Sequence, residues 1–363
     1  MKLKIRRHAA IFLIFAVILS SMTACSAGKK KGKKNSGDNK EVQNLYSSEY
    51  VKSTEVFKMG DETIHLDVAL IYLIMEYRQY TVTEDNINSL PDVCKSQAIV
   101  SLHDTYCIYK EAMASGIVTD EEDEEMARNY ADTFIQSCSE ALEKCGISKE
   151  TVYEEYRKQM IVEKFKHDEK NRLGQEYTEK YQKEYGDKRF FKAYVITFPT
   201  VQVDSDGMPV SNSDGSYATV TDAEKQSAYD NAVKAREEIL GGADYKEVIS
   251  KYGVDAYSSE TTSYEGYSTT NGGEDKLEKL KKGEATEISE SKLGYIFYVI
   301  TDDNSTDSRD YYIQYLTNND VNTEYDYLEN KWKKSIIFDE SKDTIGTAWN
   351  DIDMVSFGKM LME

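Results

Sequence analysis

Few residues of this chain have types and spacings suited to chemistry. Histidine is the usual general base near neutral pH, and the 363 residues hold only four: His8, His65, His103 and His167. None of them completes a Ser/His/Asp arrangement, and no glycine-rich phosphate loop occurs. The cysteine spacings fit no metal site. We therefore expect no cofactor and no metal, and we predict packing or surface roles for the three histidines beyond residue 40.

One cysteine has a context that predicts its chemistry. Basic residues between Lys2 and Arg7 precede an apolar run, Ala9 to Leu19, and small residues then lead to Cys25 in the sequence MTAC. The run is too short for a permanent span, which needs about 20 residues, so residues 1–24 are predicted to be an export signal. The signal resembles that of bacterial lipoproteins, which implies cleavage before Cys25 and lipidation of its sulfur. An ordinary secretory signal with an incidental cysteine is the alternative.

The other cysteines are Cys94, Cys107, Cys138 and Cys145. An even number permits two disulfides outside the cytoplasm. Cys138 and Cys145 are seven residues apart in a helical pattern, about 10 Å along a helix axis, and so cannot pair with each other. Bridges between helices and simple buried thiols both remain open, and we favour buried thiols because cysteine packs well in cores.

Charge is distributed unevenly along the chain. The net charge is −20, yet residues 1–40 hold ten basic residues and one acid, so the remainder carries 35 basic and 64 acidic residues, a net of −29. A body this acidic repels nucleic acid, which we exclude as a partner. Residues 25–45 are rich in Lys, Gly, Ser and Asn and predict a flexible tether, whose lysines suit anionic headgroups.

Residues 46–188 are predicted to form a helical module. One apolar stripe comprises Ile99, Leu102, Tyr106, Tyr109 and Met113. Thr119 with Glu122 predicts a capping box for the next helix, which Gly146 ends, and Ser148 is predicted to cap the helix after that.

Residues 189–303 change in character and predict a small α+β domain. The run FFKAYVITF, residues 190–198, is rich in strand-forming residues, and a second strand is predicted at Tyr295–Ile300. Between them, Thr221 and Glu224 predict a capped helix, and a Ser/Thr/Tyr/Gly loop follows a further helix. Residues 304–363 return to helical patterns, which suggests that they complete the first module.

Several segments resemble one family in its own order. YKEAMASGIVTDEEDEE and GISKETVYEEYRKQMIVEKF resemble the helical domain of extracytoplasmic foldases of the PrsA and SurA type. KAYVITF, AREEILGGADYKEVISKYGVD and LKKGEATEISESKLGYIFYVITD are similar to the parvulin prolyl isomerase domain. The resemblance covers residues 50–340 and implies an α+β fold: a SurA-N-like helical chaperone module, completed by a C-terminal helix, with an inserted parvulin-like domain.

The same resemblance implies that the catalytic constellation is eroded. Parvulins surround the prolyl amide with two histidines and a Cys or Asp, and here the histidine positions correspond to Val195 and Ile296, whereas Asp255 is retained. An aspartate there is also a common turn residue, so Asp255 is only a weak catalytic candidate. Tyr194, Tyr267 and Leu277 are candidate peptide-binding residues. For Leu277 the simpler interpretation is a helix that packs inward.

The function predicted from these features is a membrane-anchored extracytoplasmic chaperone or foldase that assists newly exported polypeptides, with prolyl isomerase activity weak or lost. Binding by apolar contact needs no catalytic residue, and exported chains expose apolar segments before they fold. An active parvulin-type isomerase and a non-enzymatic surface-binding lipoprotein are the alternatives. The sequence does not predict the oligomeric state.

Overall fold

A computed structural model describes residues 45–80, 89–204, 208–266 and 274–362. The predicted export signal, the tether with Cys25, and Tyr267 lie outside these ranges. The chain divides into two compact units, of which the second is Gly174–Val321 and the first comprises the residues up to Leu173 and from Asn322 onward. Each unit has its own core. The combination of helical and sheet structure confirms the predicted α+β class.

The first unit is mainly helical but begins with a hairpin. In chain order its elements are α1 (Ser48–Ser53), β1 (Glu55–Met59), β2 (Glu62–His65), α2 (Leu66–Tyr77), α3 (Leu90–Ala114), α4 (Glu121–Ser137), α5 (Ser139–Lys144), most of α6 (Lys149–Tyr185), the end of α9 (Thr306–Trp332), α10 (Glu340–Asp343) and α11 (Met354–Met362). The antiparallel pair β1–β2 corrects the expectation of helix alone, because Gly60 supplies a left-handed turn (φ 64°) between two short strands.

The core of the first unit is completed by its C-terminal part. The ring of buried Phe57 on β1 lies 5.2 Å from Trp349 and 5.7 Å from Phe338, measured between centroids. Phe165 on α6 likewise packs 4.7 Å from Trp332 on α9. These aromatic contacts join the C-terminal part to residues that are distant from it in sequence. Burial of such large rings is a major stabilising contribution to a fold.

Helix α4 is capped one residue later than the sequence predicted. The N-cap of α4 is Asp120, whose carboxylate accepts from the backbone N–H of Glu122 and Asp123, and Asp123 completes the capping box. Thr119 instead donates its hydroxyl to Glu124. The predicted Thr119–Glu122 box is therefore wrong, because the neighbouring carboxylate is the better acceptor for free N–H groups.

The second unit is built on a four-stranded antiparallel sheet. After the end of α6 come β3 (Phe190–Pro199), α7 (Asp222–Leu240), α8 (Tyr245–Tyr252), a 3-10 turn (Asp255–Tyr257), β4 (Ser259–Tyr264), a second 3-10 turn (Glu274–Lys279), β5 (Ser289–Glu290), β6 (Gly294–Asp302) and the start of α9. The strand order is β4-β3-β6-β5. The predicted capping box of Thr221 and Glu224 at α7 is confirmed. Strand β4 corrects the expected Ser/Thr/Tyr/Gly loop.

The backbones of the two central strands lie very close together where β3 ends and β6 begins, at the pair of Pro199 and Gly294. Gly294 has φ 152°, and a Cβ built on it would lie 2.0 Å from the carbonyl oxygen of Phe198. Only glycine permits this approach of two backbones.

In the part of the chain that the structure describes, none of the helices is long and apolar enough for a membrane crossing.

Candidate functional site

The two faces of the sheet in the second unit are packed against different elements. Successive residues of a strand point to opposite faces. Ile196 and Phe198 on β3 are buried with Ala232 and Ala235 of α7 and Val248 of α8, so helices cover that face. Val195 and Thr197 belong to the other side, which we call the opposite face.

The opposite face has an apolar floor at the centre of the sheet. Val195 pairs with Tyr298, and Thr197 pairs with Ile296, so these four residues are neighbours on one face. Val195, Ile296 and Tyr298 are half-buried, whereas Thr197 is buried. The positions that resemble the parvulin histidines are therefore adjacent here but aliphatic. Such a floor can contact an apolar side chain, and Val195 and Ile296 carry no group that could accept a proton.

Hydroxyl groups flank this floor on the edge strand β4. Its residues Ser259, Thr261 and Ser263 pair with Val195, Ala193 and Phe191, which places them on the opposite face. Hydroxyls can donate to or accept from a peptide backbone. Residues 174–321 contain neither histidine nor cysteine. The site therefore offers apolar contact and hydrogen bonds, without the imidazole or thiol that nucleophilic or general-base chemistry generally uses.

Asp255 lies at the start of the first 3-10 turn and is exposed. Its carboxylate accepts a hydrogen bond from the hydroxyl of Ser250, with 2.7 Å between the oxygens. This bond closes the turn that follows left-handed Gly253 (φ 65°). The contact is the one expected of a turn-forming aspartate. The catalytic assignment of Asp255 stays a prediction.

Two of the candidate peptide-binding residues, Tyr194 and Leu277, are described by the structure, and they lie on different faces of the sheet. Tyr194 lies on the helix-covered face, where its ring is 5.2 Å from that of Tyr245. Leu277 is 0% exposed and packs against Ala193 and Ile300 on the opposite face. Their separation follows from strand alternation, because Tyr194 and Ala193 are consecutive residues. Leu277 thus has the inward-packing role that was its simpler interpretation.

The sequence alone did not point to Tyr298, or to Ser259 and Thr261 on β4, as members of the site. Tyr298 could have been found by counting two residues on from Ile296 within one predicted strand. The serines and threonines of β4 give no apolar alternation, so only the pairing with β3 reveals them.

The first unit has a small cavity and several exposed apolar side chains. A cavity of about 10 Å³, lined by residues that include Tyr72, Tyr106 and Glu155, has room for about one water. Exposed apolar residues of this unit are Leu45, Tyr50, Tyr80, Val93, Val100, Met113, Val118, Tyr327 and Ile337. Ile337 is 89% exposed. Among the described residues, no group of three or more His, Cys, Asp or Glu side chains is placed to hold a metal ion.

The predicted thiols are found as buried cysteines. Cys94, Cys107, Cys138 and Cys145 are all buried and form no disulfide. Burial raises the pKa of Cys94 to about 11 and that of Cys145 to about 12. Cys107 lies 3.4 Å from Nε2 of His103.

Comparison with solved structures finds PrsA proteins. A foldase protein PrsA from Lactococcus lactis is 16% identical, with 80% of this chain and 96% of that chain covered and a TM-score of 0.34. A peptidylprolyl isomerase PrsA from Bacillus cereus is 14% identical, with 86% and 99% covered and a TM-score of 0.32. The foldase protein PrsA from Streptococcus pneumoniae is 13% identical, with 84% and 100% covered and a TM-score of 0.25.

These proteins are of the family that the sequence segments resemble. At such identities and TM-scores the likeness assigns no activity and no residue role to this chain. No family model and no curated protein matches it.

Proposed function

We propose that the protein is a lipid-anchored extracytoplasmic chaperone, of the foldase kind, that binds unfolded polypeptides and has weak or no prolyl isomerase activity. The observation that carries the proposal is the opposite face of the second unit. Val195, Ile296 and Tyr298 form an apolar floor, and hydroxyls of β4 lie beside it. An extended segment with an apolar side chain would be desolvated there and hydrogen-bonded without chemical change.

Catalysis is disfavoured by the same residues. Rotation about a prolyl bond crosses a barrier of about 18–20 kcal/mol, and an efficient catalyst must stabilise the twisted amide. With aliphatic side chains at the two histidine positions, the opposite face offers hydroxyl donors only. Desolvation of the amide alone gives a modest effect at most.

The acidic body suits such a role. The residues beyond 40 carry a net charge of −29. Repulsion between such charges keeps complexes with aggregation-prone clients apart from one another. Exposed apolar side chains on the first unit, such as Met113 and Ile337, supply further contacts that need no sequence preference.

The proposal is tested by measuring aggregation of an unfolded client and isomerisation of a proline tetrapeptide with the same sample. We expect suppression of aggregation without acceleration of isomerisation. The double variant Val195→Ser/Ile296→Ser should weaken client binding by about tenfold, or 1.4 kcal/mol, because it removes apolar area from the floor. Leu240→Ser is the matched control, since Leu240 is exposed at the end of α7 in the same unit.

Two outcomes would contradict the proposal. One is isomerisation as fast as that of an ordinary parvulin and slowed by Asp255→Ala, which favours the alternative of an active isomerase. The other is an equal loss of client binding in Leu240→Ser. Thermal unfolding of each variant separates lost binding from lost stability.

Anchoring is tested independently at the N-terminus. Cys25→Ser should abolish lipid attachment and release the protein from the membrane fraction while leaving aggregation suppression unchanged, because Cys25 precedes every described element. Continued membrane association of this variant would disprove anchoring through Cys25.

A further inference from the structure

Cys138 is in an unusual environment for a buried thiol. It lies at the junction of α4 and α5 and is 5% exposed. Nη1 of Arg78 is 2.7 Å from its Sγ and also donates to the carbonyl oxygen of Ser137 at 2.9 Å. A guanidinium in contact with sulfur favours the thiolate over the neutral thiol. The thiolate is the form that reacts with electrophiles.

A second observation comes from Tyr156 on α6. Its side chain is 2% exposed, and its hydroxyl has no hydrogen-bond partner among the described residues. Its ring lies 5.6 Å from that of Phe134, whose carbonyl accepts the backbone N–H of Cys138. Burial raises the pKa of Tyr156, and negative charge on the Cys138 sulfur raises it further while the Arg78 guanidinium lowers it. The hydroxyl therefore lies in the field of both groups.

A buried hydroxyl without a partner costs free energy, and such an exception requires an explanation. An oxygen atom added to the sulfur of Cys138 is a hydrogen-bond acceptor. The Arg78 guanidinium contacts the sulfur and can donate to that oxygen, and the unpartnered Tyr156 hydroxyl, whose pKa responds to both groups, is a second donor. The cluster of Arg78, Cys138 and Tyr156 thus has the features of a site for an oxidised sulfur.

We propose that Cys138 is a peroxide-reactive thiol, and that Arg78 and Tyr156 stabilise the sulfenic acid formed on it. The thiolate sulfur attacks one oxygen of hydrogen peroxide, an S–O bond forms and the O–O bond breaks. Hydroxide leaves and takes up a proton to become water, so the sulfur is oxidised by two electrons and the peroxide is reduced. A low-molecular-weight thiol would return the sulfur through a mixed disulfide. This inference is independent of the proposed function.

The chain contains its own controls. Cys94 and Cys145 are 0% exposed, and burial holds their pKa values at about 11 and about 12, so both remain neutral thiols near pH 7. Cys107 contacts His103 and is removed by Cys107→Ser to simplify the measurement. Cys138 is thus compared with Cys94 and with Cys145 within one full-length protein.

The test treats the folded Cys107→Ser protein with hydrogen peroxide, traps sulfenic acid with dimedone and locates the adduct by mass spectrometry. We expect the adduct on Cys138 at least tenfold in excess over Cys94 and Cys145. A parallel iodoacetamide series against pH should give a midpoint for Cys138 below the usual thiol value of about 8.5.

Two variants assign the roles of the neighbours. Arg78→Gln should move the alkylation midpoint of Cys138 upward, a change that a purely structural role does not produce. Tyr156→Phe should leave that midpoint nearly unchanged but shorten the lifetime of the sulfenic acid several-fold. If Arg78→Gln does not fold, the proposal is tested by the alkylation midpoint of Cys138 in the Cys107→Ser protein itself. Labelling of Cys138 no faster than Cys94, or a midpoint at the usual thiol value, overturns the proposal.

Discussion

His103 is a histidine whose charge is fixed by its neighbours on one helix turn and by the C-terminal segment. Nε2 donates to the carbonyl oxygen of Ile336 at 2.9 Å, and Nδ1 lies 3.8 Å from the carboxylate of Asp104. The hydrogen bond with Asp104, followed by that with Cys107, raises the pKa of His103 to about 10. Lys333 also bonds to Asp104, at 3.2 Å.

This raised pKa predicts a pH-dependent contribution to stability. The folded value of about 10 is above the ordinary histidine value of about 6.5, so protonated His103 stabilises the fold fully below about pH 6.5. The contribution is lost as pH rises through about 10. His103→Gln should therefore lower the free energy of unfolding by about 2 kcal/mol at pH 6 and by much less near pH 10. Urea unfolding at both pH values provides the measurement. A difference that grows with pH would contradict the assignment.

At the scale of elements, the close approach of β3 and β6 restricts one position to glycine. A Cβ at Gly294 would meet the carbonyl oxygen of Phe198 at 2.0 Å and Cα of Pro199 at 2.8 Å. Gly294→Ala should destabilise the second unit by at least about 3 kcal/mol, through steric overlap added to backbone strain.

A matched control isolates the overlap. Gly283 also has positive φ (88°), yet a Cβ there would meet nothing within 4 Å. Gly283→Ala should cost only the left-handed strain of about 1–2 kcal/mol. Circular dichroism during chemical unfolding compares the two. Equal losses of stability in the two variants would mean that the close approach of β3 and β6 is not the cause.

The sequence predicted elements wherever one periodicity dominated and failed where none did. Thr221 and Glu224 predicted the start of α7 because a capping box is a local contact between residues three apart. The strand β4 was missed because Ser259, Thr261 and Ser263, which lie on one face of it, are polar. The strand therefore lacks the alternation of apolar and polar residues by which a strand is predicted. The hairpin of β1 and β2 was missed because each strand has only four or five residues.

The candidate site was predicted in part for a similar reason. Val195 and Ile296 were placed correctly on two strands, and their adjacency follows from the observed pairing register. Tyr194 could not be assigned to a face until it was known which face the helices cover. Burial of Leu277 depends on contacts with Ala193 and Ile300, which are distant in sequence.

At the scale of the whole molecule, the C-terminal part is integral to the first unit. Trp349 is buried against Phe57, and Nζ of Lys95 lies 5.4 Å from the Trp349 ring centroid. Trp349→Ala should destabilise the first unit by about 3–5 kcal/mol, because it leaves a large cavity. Ile337→Ala is the control, since Ile337 is largely exposed and should change stability by less than about 0.5 kcal/mol. A small effect of Trp349→Ala would show that the C-terminal part is dispensable for this unit.

The chain has 28 tyrosines but only two tryptophans, and Trp332 and Trp349 both belong to the first unit. The second unit contains no indole at all. Selective excitation of tryptophan therefore reports optically on one half of the protein, and far-ultraviolet dichroism reports on both. Overlaying the two melting curves would show directly, without any label or mutation, whether the halves lose their structure in a single step or in succession.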